Sequence, residues 1–158
     1  MDCIDFYRFT VVKKETDQDW SDFSIKINDF RVDQKYSFAT LQLDRFTLHH
    51  TVVDANDFGS SHCILTSSIG QRQTFDNITG SMSKILGIFP IQSESPTVNG
   101  VVAVSQKIDY SRNSDSDLIY VSPQALNEAI HFKLLTFEYA APPHACNWSF
   151  TISVKFYK

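Results

Sequence analysis

Between residues 147 and 158 apolar and polar positions alternate. Trp148, Phe150, Ile152, Val154 and Phe156 lie on one parity, and Ser149, Thr151, Ser153, Lys155 and Tyr157 on the other. Side chains of a strand point to opposite faces in turn, so this stretch is a strand with one buried and one wet face. An apolar face of that size has to meet another. A second sheet packed across it is the economical answer, so the pattern predicts an antiparallel β-sandwich.

The rest of the chain supplies strands for it. Residues 6–12 read as a first strand, followed by a charged loop at 13–19. Phe23, Ile25 and Ile27 alternate with Ser24 and Lys26 in a second strand, which Asn28 and Asp29 end. Residues 36–49 form a longer strand whose burial parity changes near Leu41, as a bulge or bend would make it. Residues 53–61 are a polar surface loop before a strand at 62–69, and 70–83 a long polar excursion across one end of the sandwich. Residues 85–91 form a short buried strand ending at Pro90, 93–100 a turn, and 101–108 a strand. After a polar loop at 109–117 the sheet resumes at 118–121. Ser122 as a cap and Pro123 at the first helical position then predict one short helical turn over 124–129. The penultimate strand is 130–139, and 140–144 connects it to the last. Eight or nine strands with turn signals between them fit a single jelly roll or another Greek-key sandwich.

Composition narrows the class. The 158 residues fit one domain, 1–158, with enough chain to bury a core, and 13 Phe and 6 Tyr against 5 Gly favour strands. The 14 Lys and Arg are scattered in a chain of net charge −4, which disfavours direct nucleic-acid binding. No apolar run has the length of a membrane span. Residues 1–10 lack the regions of a signal peptide, which points to a chain made and kept inside a cell. There Cys3, Cys63 and Cys146, odd in number and widely spaced, read as buried free thiols. The sequons at Asn77 and Asn147 carry little weight without secretion.

No catalytic, cofactor-binding or metal-binding residue is assigned. His49 and His50 are adjacent on a strand and face apart, so they cannot ligate one ion together. Asn113, Asp115 and Asp117 alternate as in calcium loops but lack the glycine and distal glutamate that complete one. Cys63 beside His62 also faces away from it, and no nucleophile elbow occurs. Gly70, Gly80, Gly87 and Gly100 are too dispersed to cradle a phosphate. Trp20 and Trp148 could stack on a sugar, although aromatic residues in a sandwich usually belong to the core. No enzymatic activity is expected.

Several stretches together resemble single jelly-roll capsid proteins of double-stranded DNA viruses, especially the penton-type or minor capsid proteins of virophages and polinton-like viruses. They are 38–51 (Phe-Ala-Thr-Leu-Gln-Leu-Asp-Arg-Phe-Thr-Leu-His-His-Thr), 85–90 (Ile-Leu-Gly-Ile-Phe-Pro), 118–126 leading into 130–139, and the closing strand 148–157. The resemblance implies a structural subunit without catalytic groups or cofactors, assembled inside a host cell into a virion. It would pack as a homopentamer with itself and against other capsid proteins. The interface would be sought in the loops 54–60, 74–83 and 109–117. The absence of a long insertion argues against the double jelly-roll major capsid protein and leaves a vertex or cementing subunit. The rivals are a lectin-like or C2-like binding module for a glycan or partner protein, and a chaperone resembling nucleoplasmin, whose long acidic tracts this chain lacks.

Overall fold

The computed structural model describes residues 2–27, 36–52, 58–69, 73–76, 81–112 and 118–158. The described residues form strands β1 (Cys3–Lys13), β2 (Asp22–Ile25), β3 (Phe38–Val52), β4 (His62–Ser67), β5 (Gln73–Asp76), β6 (Ser81–Pro90) and β7 (Gln92–Glu94). They continue as β8 (Thr97–Val98), β9 (Val101–Val102), β10 (Val104–Ser111), β11 (Ile119–Val121), β12 (Ile130–Thr136) and β13 (Asn147–Tyr157). Between β11 and β12 lies the expected helical turn, a 3-10 turn over Pro123–Asn127.

Two antiparallel sheets make the sandwich, one in the order β1-β13-β3-β10-β7 with β11 beside β3, the other β2-β12-β4-β6-β5. The eight principal strands are β1, β2, β3, β4, β6, β10, β12 and β13. Taken in chain order, the first of them pairs with the last, the second with the seventh, the third with the sixth and the fourth with the fifth. That is a long antiparallel ribbon. Rolling it brings the last strand against the third and the seventh against the fourth, which are the remaining two pairings, β13 with β3 and β12 with β4. The result is a single jelly roll.

The inner face of β13 organises the interior as its alternation predicts, with Trp148, Phe150, Ile152, Val154 and Phe156 all buried. Phe150 meets Phe132 of the opposite sheet at 4.9 Å between ring centroids, and Phe46 stacks almost parallel on Phe89 at 4.4 Å. The Trp148 indole N–H donates to the carbonyl of Trp20 at 2.7 Å, so its one polar atom is satisfied inside an apolar layer. Gly87 makes room for the stack: a Cβ there would lie 2.4 Å from the Phe89 ring.

The parity change in β3 is real but falls at Asp44, not near Leu41. Ala39, Leu41 and Leu43 are buried on one parity and Phe46, Leu48 and His50 on the other. Thr151 pairs with Arg45 and Ile152 with Leu43, which leaves Asp44 as the extra residue. A run with Ala39, Thr40, Leu41, Gln42 and Leu43 all buried hides the switch from a count of apolar positions.

Other expectations are corrected. In the stretch taken as an excursion, 73–76 and 81–83 are strand, paired across β5 and β6. The stretch 85–91 is not uniformly buried, since Phe89 is buried and Ile88 is exposed. The turn at 93–100 is mostly a two-stranded ribbon: β8 and β9 continue the register of β7 and β10, with Asn99 and Gly100 at positive φ (50° and 79°) forming its tip. That is the two-residue turn whose geometry matches the twist of a hairpin. Residues 109–111 belong to β10, and 113–117 lie outside the described residues. Phe58, placed in a polar surface loop, is fully buried, and its N–H donates at 2.6 Å to the side-chain oxygen of buried Gln106; residues 53–57 lie outside the described residues. Ser122 does not cap the helical turn through its side chain; its hydroxyl donates to Gln124 instead. The penultimate strand stops at Thr136, where the chain turns and Phe137 is exposed.

Candidate interaction surfaces

The fold separates the residue pairs that the sequence offered for chemistry. His49 is exposed on the outer face of the first sheet, while His50 is buried on the inner. Cys63 is buried and His62 lies on the other face of β4, where its ring sits 5.1 Å from that of Phe137. Burial pushes the Cys63 thiol well above its ordinary pKa, with the nearby Cys146 adding to the effect, and burial raises Cys146 to about 12. Such thiols are poor nucleophiles at neutral pH. All three cysteines are free, but Cys3 is exposed, contrary to the expectation of three buried thiols. Among the described residues no three His, Cys, Asp or Glu side chains gather as a metal site would require. Trp148 is core, and Trp20 is partly buried against the core. Asn147 is exposed, and its side-chain oxygen accepts the N–H of Glu15 at 3.0 Å. Asn77, Gly70, Gly80 and the whole Asn113–Asp115–Asp117 set lie outside the described residues, as does most of the loop 54–60. Among the described residues no helix is long and apolar enough to cross a membrane.

Sequence reasoning missed a polar cleft that the bulge creates. Because Asp44 is the extra residue of β3, its carboxylate turns to the outer face of the first sheet, where neighbouring strands present arginines. Arg8 Nε of β1 lies 3.2 Å from one carboxylate oxygen, which also accepts the Ser153 hydroxyl of β13. Arg112 Nε lies 3.1 Å from the other oxygen without the alignment of a hydrogen bond, and its backbone N–H donates to the Asp44 carbonyl at 2.9 Å. Arg45, next along β3, points to Asp109 of β10 at 3.7 Å. These arginines, with Asp44, Ser111 and Thr151, line a cleft of about 300 Å³. Three guanidinium groups and one carboxylate line it, with Asp109 beside Arg45, so the cleft carries a small excess of positive charge on a chain of net charge −4.

The edges of the two sheets differ. β2, an edge of the second sheet, is four residues long, and its Asp22 contacts His131 and, at 3.7 Å, Lys133 on the neighbouring β12. Short length and charge are the usual means of keeping an edge from pairing with other chains. β1, an edge of the first sheet, is eleven residues long and pairs on one side with β13. Its odd-numbered Tyr7, Phe9 and Val11 pack on the core, and its even-numbered Ile4, Phe6 (49% exposed) and Val12 (63%) face water with Arg8 and Thr10 between them. At the opposite edge of the same sheet the β7–β10 ribbon runs on into β8 and β9. Every residue from 92 to 102 but none of its neighbours in the core is exposed there, including Val98, Val101 and Val102 (65%). Six of the nine large hydrophobic side chains exposed among the described residues thus sit on β1, at one edge of the first sheet, and on the separate two-stranded β8–β9 extension beyond its other edge.

Comparison with known proteins finds no family model, no curated protein and no solved structure that matches this chain.

Proposed function

We propose that this chain is a structural capsid subunit, of penton or minor capsid type, that assembles by side-by-side packing of jelly rolls. Its partners are copies of itself, as a homopentamer, and other capsid proteins; its place is the virion, after assembly inside a host cell. The observation that supports this is the distribution of exposed apolar surface. It lies at the periphery of the sandwich, on the β1 edge of the first sheet and on the two-stranded β8–β9 extension beyond its other edge, where neighbouring subunits could cover it and a small ligand could not. Negative-stain electron microscopy of the purified protein tests it: closed fivefold rings are expected, and a field of isolated monomers at high concentration counts against it.

The arginine-lined cleft favours a second reading, a non-catalytic binding module that takes an anionic glycan or an acidic partner. Such a module is a monomer or small oligomer, and its melting temperature rises with ligand concentration. A melting shift with a sulfated disaccharide that chloride at equal ionic strength does not reproduce would support it.

A further inference from the structure

The geometry points to the arginine-lined cleft as a site for a tetrahedral oxyanion, the sulfate or phosphate group of an ester. This rests on the second reading, a binding module, and names the group that it takes. The bulge builds the site. Leu43 and Phe46 both face the interior, so Asp44 and Arg45 between them both turn outward, which an unbroken strand cannot do. Asp44, with 14% of its side chain exposed, is the floor: one oxygen takes Arg8 Nε and the Ser153 hydroxyl, and the other, shut off from water, faces Arg112. Arg8 and Arg45, 58% and 61% exposed, stand at the rim, and Arg45 lies in register between Thr151 of β13 and Ser111 of β10.

The existing pairings leave donors for a ligand. A guanidinium carries five N–H groups, and Asp44 and Ser153 engage Arg8 through Nε, away from its two terminal nitrogens. Arg45 meets Asp109 at 3.7 Å, too far for a hydrogen bond, with 71% of the Asp109 side chain exposed. Such a pair holds little energy, and an anion can take its place. All six lining residues are polar, so the cleft suits a charged group and not an apolar ligand. Its arginines and hydroxyls converge from β1, β13, β3 and β10, on several sides, as the oxygens of a tetrahedral group require; a carboxylate presents two oxygens to one fork. Three guanidinium groups against the carboxylates of Asp44 and Asp109 leave an excess of one positive charge, which a sulfate or phosphate ester neutralises.

Titration of nitrogen-15-labelled protein with glucose 6-sulfate and with glucose 6-phosphate tests the site, read at the arginine Nε–Hε signals, with glucose and glucuronate as controls at equal ionic strength. Saturable shifts of Arg8, Arg45 and Arg112 are expected with one or both esters, and the tighter ester names the source of the group. Glucose should give none, and glucuronate should bind at least about fivefold more weakly. Arg45→Ala, checked for an unchanged melting temperature, should lower ester affinity about tenfold, with Arg45→Lys recovering only part of it. Asp109→Asn, which removes the competing carboxylate, should raise the affinity about two- to threefold. Glucuronate binding as tightly as the esters, or an ester affinity that Arg45→Ala leaves unchanged, overturns the proposal. If a sulfated disaccharide raises the melting temperature while these arginine signals stay fixed, the cleft is overturned and the binding module stands. If neither ester nor disaccharide binds, both fall together.

Discussion

The interior between the sheets and the two edges of the first sheet hold the same kinds of side chain in opposite circumstances. Inside, each large apolar group meets another from the facing sheet: Phe150 meets Phe132, and Phe46 meets Phe89. At the edges Phe6 and Val102 meet water. Burial of a phenylalanine contributes roughly 1.5–3 kcal/mol, which the interior has already gained on folding and the edges have not. The difference separates two kinds of apolar surface in the chain. The interior makes the module, and the edges hold apolar surface that folding leaves in water.

Breaking the interior is expected to cost the most. Phe46→Ala removes a fully buried ring from both the Phe89 stack and the Trp148 contact, and should lower unfolding free energy by about 3–5 kcal/mol in a urea titration. Next comes the alkaline limit. Both buried thiols titrate above their ordinary 9.0 in the folded state, so below that pH their contribution is intact. Above it the unfolded chain ionises first, and stability falls as pH rises toward the value of about 12 that Cys146 reaches when folded. Cys146→Ala should make the fall in urea midpoint between those pH values shallower than in wild type. An unchanged slope would mean that the thiol is not held protonated by the fold. Gly87→Ala, which forces the Phe89 ring out of its stack, should cost about 1–3 kcal/mol, checked by the same titration. The edges stand at the other extreme. Phe6→Ser with Val102→Ser should leave thermal stability of the isolated subunit within about 0.5 kcal/mol of wild type, since neither side chain packs on the core.

Alternation made the fold legible. The last strand was predictable residue by residue because Trp148 to Phe156 obey a strict period of two, and turn chemistry separated the other long strands. The pairing order was not legible, because rolled and sandwiched sheets share the same alternation. Polarity places the bulge near Leu41 and not at Asp44, because buried Thr40 and Gln42 break the expected link between polarity and exposure. The ribbon reads as a turn from its polar composition, although Asn99-Gly100 flanked by Val98 and Val101 is a strong hairpin signal. The arginine cleft had no sequence signal at all. Arg8, Arg45 and Arg112 are far apart in the chain and meet only because β1, β13, β3 and β10 lie side by side.

Solution mass by light scattering, over a wide range of protein concentration and for wild type beside the Phe6→Ser, Val102→Ser double variant, separates interior from edge most directly. A closed oligomer of wild type that becomes a folded monomer in the double variant is the expected result. A wild-type monomer at every concentration, or an oligomer that the double substitution leaves intact, would contradict the assignment of those edges to assembly.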